Sequence, residues 1–526
     1  MDKRQVKFSA NIFLKVLCMV LVAVLCIGSA AGCRKVNPST DLSSSGSTGV
    51  VGSIDADVTS SDESTPTDAT ESTDSTQSDG NNSSTTTPSG DGGSTQTPPT
   101  VAPTDEDVDT GIVTDLKGRT IKIFSYGYTK EWATNTAVGR LQEQTFDKVE
   151  KELNCKIEIL SGPADTDFDP IFTSILAGDP IVDIVNTAGP HTLAKPITTN
   201  LYMDLDQFEV FNWKESKWDN DTMEIAEFGG KQYVAFIDLI GDSAALMNNA
   251  MFFNKRLVKE AGYNPDDIYK WQENGTWTWA KFKEVASKIS KLDPGNIYGT
   301  GGNGAVLYEN LVVSNGTDYF LRSGDSVVFN GGNSAAMEAM KFYLELHQEG
   351  IMSDDDTSAN ATQFIAGKIG FLPDVLERLQ YSDTYGKMKD DYGVVMIPKG
   401  PQAKDYVSMF NWYGGYAIPT GTKNANEVAA VLNAICDSPY GSTAAANKAA
   451  IVAQETYVRD EQSLAVFDMV KTRTFTSAQW LGEPVRTQWL ALLPDLKAGK
   501  LTVANAVSEH KDEYADMLKN TWAFKF

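Results

Sequence analysis

The fold is decided by a stretch that alternates polar and apolar residues and reads Arg119-Thr120-Ile121-Lys122-Ile123-Phe124. Alternation with a period of two predicts a β-strand. Helical spacing follows over 140–153, a second strand over 155–160, a second helix over 168–177 and a short apolar strand over 181–185. This β-α-β-α-β order, with helices long enough for right-handed crossovers, predicts a parallel sheet covered by helices on both faces.

The rest of the chain shows the same mixture of helices and strands. The predicted elements are a hairpin over 228–236 that turns on Gly229-Gly230, a strand over 246–253, and helices over 255–261, 278–292, 335–348, 426–436 and 501–520. Thr278 is the expected N-cap of its helix, because a threonine side chain accepts a hydrogen bond from the first turn. The segment from Gly111 to Phe526 is too long for one compact core, so we expect two α/β lobes.

Residues 1–32 have the layout of a secretory signal, with basic residues ahead of an apolar run and small residues at its end. The small residues Ala30-Ala31-Gly32 precede Cys33 and resemble the bacterial lipobox, in which the cysteine becomes the lipidated N-terminus. Cys33 is therefore the expected lipidation site, and more than one acyl chain would hold the protein stably on the extracellular face of the bacterial cytoplasmic membrane. An ordinary cleaved signal followed by an unrelated cysteine is the alternative.

The segment from residue 33 to 110 consists largely of Ser, Thr, Asp, Gly and Pro and has almost no large apolar side chains. Such a composition cannot bury enough apolar surface to offset its conformational entropy. It predicts a disordered linker, which is either a flexible tether or a mucin-like stalk. The folded head is then expected over 111–526.

Charge and cysteine content narrow the partners and the redox chemistry. The formal net charge of -25 disfavours nucleic acid as a partner. Of the five cysteines, only Cys155 and Cys436 lie in the folded segment. Two thiols do not form a disulfide framework, so two separate buried thiols are favoured over a single bridge between them.

The sequence offers little catalytic or metal-binding chemistry. Its three histidines, His191, His347 and His510, lie far apart, and the folded segment has no zinc-ligand spacing and no nucleophile elbow. We therefore expect no metal, no cofactor and no enzymatic activity. The run Gly299–Gly304 fits the dinucleotide fingerprint in form, but it follows a helix end and a turn rather than a first strand, so a loop is expected there.

Aromatic residues supply the candidates for ligand contact. Trp412 and Tyr413 stand in a loop that feeds a strand, and Tyr126, Tyr128 and Trp132 follow the first strand. Ligands of open α/β sheets bind beyond the carboxyl ends of strands, and flat rings beside polar groups suit sugars. Packing inside a lobe is the alternative for each ring, and it is the expected role of the tryptophans at 279, 480, 489 and 522.

Seven segments, in order along the head, resemble the family 1 extracellular solute-binding proteins of bacterial ABC importers, the maltose-binding-protein-like group. Four of them are the run Ala177–Val185, the hairpin Phe228–Tyr233, the Asn254-Lys255 helix entry with Ala261-Gly262, and the Thr278-Trp279 helix start with Phe282. The other three are Phe364–Gly370, Gly415–Ala429 and Gly499–Ala506. Each motif is weak alone, but seven in the family's order are strong.

The resemblance implies a two-lobed periplasmic-binding-protein-like fold of type II, in which each lobe is a mainly parallel sheet flanked by helices. The first lobe is expected to hold about 117–247 and 416–460, and the second about 248–413 and 461–526. The ligand lies in the cleft between the lobes, which close by hinge bending, and the closed form docks on the permease of an importer. The implied protein is a non-enzymatic receptor with a monomeric head.

The resemblance also implies the ligand contacts, which are Tyr126, Tyr128, Trp132, Thr187, Asp238, Asp374, Trp412 and Tyr413. Asp238 and Asp374 are expected to accept hydrogen bonds from hydroxyls or to pair with a cation, and solvated loop acids are the alternative. An oligosaccharide is the expected solute. The alternatives are a peptide, a cationic small molecule, a surface hydrolase of glycans and a structural adhesin. Members that bind malto-oligosaccharides often have a tryptophan where this chain has Leu372-Pro373-Asp374, which leaves the class of sugar open.

Overall fold

The structure is a computed structural model, and the residues it describes all belong to one compact unit, Pro103–Phe526. The described residues are 113, 115–125, 130–135, 137–161, 168–187, 192–218, 220–236, 248–302, 304–381, 384–410, 415–437 and 457–523. The predicted signal, Cys33 and the predicted linker lie outside them. Among the described residues, no helix combines the length and the apolar character that crossing a bilayer requires.

Strands and helices alternate along the described chain. The strands are β1 Thr120–Phe124, β2 Lys156–Leu160, β3 Ile184–Asn186, β4 Glu227–Phe228, β5 Lys231–Gln232, β6 Ala235–Phe236, β7 Asn249–Asn254, β8 Tyr298–Gly301, β9 Phe320–Ser323, β10 Ser326–Phe329, β11 Met352–Ser353, β12 Ile369–Val375, β13 Tyr392–Val395, β14 Ser408–Phe410, β15 Gly415–Ala417 and β16 Thr474–Thr476.

The α-helices flank these strands. They are α1 Lys130–Asn135, α2 Ala137–Glu152, α3 Asp169–Leu176, α4 Ala194–Thr198, α5 Asn220–Met223, α6 Lys255–Glu260, α7 Asp266–Glu273, α8 Trp279–Ile289, α9 Val306–Ser314, α10 Ser334–Gln348, α11 Thr357–Ile365, α12 Ala425–Ile435, α13 Glu461–Thr472, α14 Val485–Leu490, α15 Leu493–Lys497 and α16 Val503–Thr521. Short 3₁₀ helices span Leu205–Gln207, Glu224–Ala226, Leu376–Gln380 and Tyr385–Lys387.

The first sheet is the one that the opening stretch predicts. Its five strands run in the order β2-β1-β3-β15-β6. β1 pairs in parallel with β2 and β3, whereas β15 is antiparallel to both β3 and β6. The late strand β15 returns to this sheet from far along the sequence, so the first lobe is built from two separate parts of the chain.

The second sheet repeats this arrangement. Its order is β11-β8-β12-β7-β13, with β8 parallel to β11 and β12, and β7 antiparallel to β12 and β13. In both sheets the parallel strand that comes first along the chain, β1 or β8, occupies the second position of the sheet. The one antiparallel strand, β15 or β7, lies between the third and fourth parallel strands. The two lobes therefore share one topology, as the resemblance implied.

One sequence expectation fails in the second sheet. The glycine run that was expected to form a loop supplies β8, because Tyr298–Gly301 pairs with β11 and β12. Glycine is required there by packing, since a Cβ on Gly299 would overlap the carbonyl oxygen of Ala286 in α8, and one on Gly301 would lie 2.7 Å from Leu372 Cδ1. The glycines that allow α8 to approach the sheet closely thus give β8 the composition of a loop.

Helix caps and core residues follow the predictions closely. The Thr278 side chain accepts a hydrogen bond from the Lys281 N–H at the start of α8, and the Asn254 side chain caps α6 in the same way. The tryptophans at 279, 480, 489 and 522 are all buried. Cys155 and Cys436 are free, buried thiols, so the favoured alternative is confirmed.

The hairpin β9–β10 of the second lobe packs against the hairpin β4–β5 of the first lobe. The Arg322 guanidinium donates hydrogen bonds to the carbonyl oxygens of Glu224 and Glu227, and it lies over the Phe228 ring at 4.3 Å. Trp522 from the C-terminal helix stacks on Phe228 at 4.4 Å. Because β4–β5 precedes β6, this contact, with an adjacent cavity of about 530 Å³, lies at the amino end of β6.

Candidate functional site

The carboxyl edges of the two sheets lie where the chain crosses between the lobes. The chain leaves the first sheet at the carboxyl end of β6 and enters the second at the start of the antiparallel strand β7, which is that sheet's carboxyl edge. It returns through only four residues between Phe410 and Gly415, which can span at most roughly 18 Å. The two carboxyl edges are therefore neighbours.

A network of buried polar groups holds this crossing in place. The Ser408 hydroxyl donates to the Asn249 carbonyl oxygen at 2.7 Å, and the Asn249 amide donates to the Met409 carbonyl oxygen at 3.0 Å. The Thr474 hydroxyl lies 3.3 Å from the Asn248 side-chain oxygen. Asn248, Asn249 and Ser408 are fully buried, so the crossing is fixed by hydrogen bonds that water cannot easily replace.

The first-lobe edge is formed by the ends of β1 and β3 and the start of β15. Thr187 follows β3, donates its backbone N–H to the Gly415 carbonyl oxygen at 2.8 Å, and accepts the Gly415 N–H on its hydroxyl at 3.2 Å. Thr187 is fully buried. This predicted contact residue therefore closes the sheet at the edge, and both of its polar groups are engaged with the backbone of β15.

The second-lobe edge carries a cluster of charged and phenolic groups, which we call the Asp374 cluster: Asp374, Glu377, Arg378, Tyr381 and Tyr385. Asp374 is the penultimate residue of β12 and is 4% exposed, so it is neither a loop residue nor solvated. Its carboxylate accepts the Tyr385 hydroxyl at 2.7 Å and the Val375 N–H at 2.9 Å, and the Arg378 Nε lies 3.6 Å away. The Tyr381 hydroxyl donates to Glu377 at 2.8 Å.

Burial dominates the electrostatics of the Asp374 cluster. It raises the pKa of the Asp374 carboxyl, although Arg378 and the Tyr385 hydroxyl act in the opposite direction, and it raises the pKa of Glu377 as well. Burial is the largest single influence on Arg378 and opposes its charge, but Asp374 together with the neighbouring acid and phenols outweighs burial and raises the pKa of the guanidinium. Asp374 and Arg378 thus stabilise each other as an ion pair inside the protein.

Arg378 is the member of the Asp374–Arg378 ion pair that reaches solvent, and Glu377 and Tyr381 of the cluster are also partly exposed. Its side chain is 39% exposed, whereas that of Asp374 is 6% exposed. Its buried Nε has no hydrogen-bond partner beyond the ion pair, and no hydrogen bond from its terminal nitrogens occurs within the described residues. The Asp374–Arg378 pair therefore presents N–H donors, while the Asp374 carboxylate is satisfied internally.

The predicted contact residues fall into three groups. Thr187 and Asp374 are described, and they lie at the carboxyl edges of the first and the second sheet, respectively. The backbone of Trp132 lies in α1, but its side chain is outside the described part. The others, Tyr126, Tyr128, Asp238, Trp412 and Tyr413, lie outside the described residues, in segments that continue directly from the first-lobe edge or lead into it.

Sequence reasoning missed Arg378 and Tyr385. An acid at position 374 and an arginine four residues later would suggest an ion pair on a helix, but Asp374 lies in β12 and Arg378 in the 3₁₀ turn that follows, so the helical spacing does not explain this pair. No local spacing links Tyr385 to Asp374, since the contact depends on the chain folding back after β12. Within the described residues, no group of three or more His, Cys, Asp or Glu side chains could hold a metal ion.

The family model of the bacterial extracellular solute-binding proteins matches residues 133–435, which is more than half of the chain and includes strands of both sheets. The chain belongs to this family. Its members are extracellular receptors of ABC transporters and bind solutes rather than transform them. A comparison with curated protein sequences gave no match.

Solved structures with the same fold include several two-lobed receptors. The GacH receptor of Streptomyces glaucescens, studied with acarbose, is 15% identical with a TM-score of 0.53 over 77% of this chain and 99% of its own. The cyclic alpha-maltosyl-1,6-maltose binding protein of Arthrobacter globiformis is 13% identical with a TM-score of 0.56 over 77% and 100%. UgpB of Mycobacterium tuberculosis, in complex with glycerophosphocholine, is 14% identical with a TM-score of 0.53 over 76% and 98%.

These structural matches, at 13–15% sequence identity, establish the fold but do not identify the ligand. The solute-binding receptor has the two-lobed α/β architecture of periplasmic binding proteins, with one sheet in each lobe. According to their names, these neighbours bind solutes as different as cyclic alpha-maltosyl-1,6-maltose and glycerophosphocholine. Specificity must therefore be argued from the side chains of this chain.

Proposed function

We propose that this receptor is lipid-anchored, captures an oligosaccharide between its lobes and delivers it to the permease of an ABC importer. The observation that carries the proposal is the meeting of two carboxyl edges at the crossings between lobes. Open α/β sheets bind ligands at these edges, and a solute held between two such edges contacts both lobes at once. Hinge closure around the solute would then give the permease a distinct form to recognise.

A neutral, hydroxyl-rich solute fits the chemistry of the second-lobe edge. The charge of Asp374 is balanced by Arg378 within the protein, so the exposed part of this pair offers a ligand N–H donors. Hydroxyl and acetal oxygens accept such bonds without bringing a charge into the site. A cationic solute would meet the exposed part of Arg378, so this arrangement supports the sugar over the cationic alternative.

The proposed contacts on the first-lobe side are the aromatic residues at 126, 128, 132, 412 and 413, together with Asp238. Sugar faces stack on aromatic rings, and these residues stand in the segments adjoining the ends of β1, β6 and β15. On the second-lobe side we assign to Arg378 the contact that the resemblance implied for Asp374. Asp374 then acts through Arg378, which it positions.

A thermal-shift screen of the purified chain tests the proposed solute class. A bound solute raises the melting temperature by mass action, by an amount that grows with its concentration. We expect at least one oligosaccharide in a panel of sugars to raise it, with no shift from a tryptic peptide mixture or from polyamines. A shift from peptides or polyamines and none from sugars would replace the sugar with one of the alternative solutes.

Two variants separate binding from folding in the same screen. Trp412→Ala removes a proposed stacking surface and is expected to abolish the sugar-induced shift while leaving the melting temperature of the free protein within about 2 °C. Trp489→Ala removes a fully buried ring and serves as the contrast, since it should lower the melting temperature itself. Equal losses of stability in the two variants would assign Trp412 to the core.

The proposed anchor has its own test. Cells expressing the chain and fed labelled palmitate should incorporate the label into this protein, and Cys33→Ala should lose it. Cys26→Ala, which lies within the predicted signal, is the matched control and should keep the label. Label that persists in Cys33→Ala would reduce the N-terminal segment to an ordinary cleaved signal.

A further inference from the structure

The chain passes between the lobes a third time after α12, and the segment that completes this passage contacts the Asp374 cluster. α12 (Ala425–Ile435) lies on the first lobe, where it packs against α2. At Tyr457, where the described residues resume, the chain has reached the second lobe, and it continues into α13, which packs against β13. We call residues 457–460 the return segment. The proposed capture of solute gives these residues no role.

Tyr457 of the return segment packs against the residues that directly follow Arg378 and Tyr385. Its backbone N–H donates to the Leu379 carbonyl oxygen at 2.7 Å. Its ring covers Gly386, because a Cβ on that glycine would lie 3.1 Å from the nearest ring atom of Tyr457. Both cluster residues that sequence reasoning missed therefore have a neighbour that the return segment holds.

Arg459 closes the loop that joins Tyr385 to β13. Its guanidinium donates to the backbone carbonyl oxygens of Asp390 at 2.6 Å, Met388 at 2.7 Å and Tyr385 at 3.4 Å. It also lies over the Tyr392 ring at 4.3 Å. A guanidinium has several donors in one fixed plane, so a single side chain can bind carbonyls at both ends of a loop at once. A lysine has the same charge but presents it as a single point.

Tyr385 connects this loop to the ion pair at the second-lobe edge. Its ring is fully buried and packs against Phe252 with centroids 4.7 Å apart, while its hydroxyl donates to Asp374 at 2.7 Å. A ring packed in the interior cannot shift its hydroxyl independently of its own backbone. The backbone that Arg459 binds therefore sets where the hydroxyl meets the carboxylate of Asp374. That carboxylate lies 3.6 Å from the Arg378 Nε.

We propose that Arg459 is a positioning residue of the second-lobe edge. It fixes the loop that carries Tyr385, and through the Tyr385 hydroxyl it holds the Asp374–Arg378 pair in the arrangement that presents Arg378 to solvent. A residue that touches no solute thereby sets the affinity of the edge, because a donor that is already held in place loses less freedom on binding. The consequence for solute rests on the proposed function, whereas the support of Arg378 does not.

The probe is p-hydroxyphenylglyoxal, which labels arginine side chains and needs no sugar. The reagent attacks the neutral guanidine. Burial opposes the charge of Arg378, but its neighbours, with Asp374 foremost, raise its pKa, so a looser ion pair should react faster. Mass spectrometry of the labelled full chain should show Arg378 modified about threefold faster in Arg459→Met. Arg459→Lys keeps the charge but loses the planar fork, and it should give about a twofold acceleration.

Two further variants make the comparison specific. Arg119→Met is the matched control, because Arg119 also donates to loop carbonyls but lies in the first lobe. It should change the labelling of Arg378 less than about 1.5-fold. Tyr385→Phe lacks the connecting hydroxyl, and in this background Arg459→Met should also change the labelling less than about 1.5-fold, since the two substitutions interrupt one chain of contacts.

The outcomes separate this positioning role from the proposed capture of sugar. Unchanged labelling in Arg459→Met, or equal acceleration in Arg119→Met, would overturn the role and leave Arg459 as a tie within its own loop. The full acceleration in the Tyr385→Phe background would overturn the route through the hydroxyl. Any sugar that raises the melting temperature of wild type should raise that of Arg459→Met less and that of Arg119→Met equally. A failed sugar screen would leave the labelling result standing, and failed labelling would leave the sugar screen standing.

Discussion

The two sheets share a strand order but differ in how their central strands meet the helices. In the first sheet, β1 places Ile121 and Ile123 in the core, both fully buried. In the second, the equivalent strand β8 places Gly299 and Gly301 there, and α8 approaches so closely that no side chain fits over Gly299. One topology is therefore packed in two ways, with side chains between the layers in one lobe and backbone against backbone in the other.

The two lobes also differ in the polar groups that they bury. In the described part of the first lobe they are hydroxyls and an amide, including Thr145, Thr187 and Gln232. The second lobe buries carboxylates as well, namely Glu309, Asp318 and Asp374. Tighter packing and buried charge make the second lobe the one whose stability should respond most to small substitutions and to pH.

The largest expected effect comes from adding a single methyl group to the second sheet. Gly299→Ala forces α8 away from β8, because the new Cβ would overlap the Ala286 carbonyl oxygen. We expect a loss of about 4 kcal/mol in the free energy of unfolding, measured by urea denaturation followed by tryptophan fluorescence. The matched change in the first sheet, Ile121→Val, removes a methylene and should cost about 1 kcal/mol. Equal costs would mean that the two sheets are packed alike.

This glycine strand also shows where sequence reasoning stops. The alternation of Arg119–Phe124 identifies β1, and the other helices and strands that the sequence predicts lie within a few residues of their observed bounds, although α7, α9, α11, α13 and most strands of the second lobe are not among them. The run Gly299–Gly304 is expected to be a loop because it follows a helix end and a turn, and its glycines offer no side-chain pattern that would have indicated a buried strand. This strand depends on the close approach of α8, a tertiary contact that cannot be inferred from local composition.

The next effect is the pH dependence that Asp318 adds to the second lobe. Asp318 is buried, has no cationic partner among the residues that the structure describes, and accepts hydrogen bonds from the Ser477 hydroxyl and the Ala478 N–H. Burial raises its pKa to about 6. The folded state therefore binds the proton more tightly than the unfolded chain, whose reference value is 3.8. Stability is lowered above pH 6 and recovered as the pH falls toward 4.

The Asp318→Asn variant isolates this contribution, because its amide keeps an oxygen acceptor for Ser477 but cannot ionise. From pH 7.5 to pH 4, wild type should gain about 2 kcal/mol relative to the variant, measured as the difference between their urea unfolding free energies. Other titrating groups are common to both proteins and cancel in that difference. A difference that does not change with pH would show that Asp318 keeps an ordinary pKa despite its burial.

A smaller effect is expected from the ion pair at the second-lobe edge. Arg378→Met leaves the Asp374 carboxylate buried with only the Tyr385 hydroxyl and the Val375 N–H. Fully buried pairs cost about 3–5 kcal/mol to break, but Arg378 is 39% exposed, so we expect about 2 kcal/mol at pH 7.5. The first-lobe control is Arg119→Met, whose pairs with Asp183 and Glu427 are partly exposed and should be worth about 1 kcal/mol or less.

The Arg378 variant also tests how far the site could be predicted. Its position at the carboxyl end of β12 followed from the general rule for α/β sheets, and the resemblance named the neighbouring Asp374. Which of the two side chains reaches solvent depended on the return of Tyr385 to the end of the strand, and no spacing in the sequence encodes that contact. If Arg378→Met weakens a sugar-induced thermal shift more than its loss of stability explains, Arg378 contacts the solute.

The smallest effect concerns the first lobe alone and leaves the second untouched. Cys155 and Cys436 both lie in the first lobe, are at most 3% exposed, and burial raises the pKa of each thiol. In a chain with Cys18, Cys26 and Cys33 replaced by Ser, an aromatic disulfide reagent should label them only when this lobe opens. Ile121→Val should speed that labelling about fivefold, whereas Arg378→Met should change it less than about twofold. Acceleration of similar size by both variants would mean that the two lobes, despite their different packing, open together as one cooperative unit.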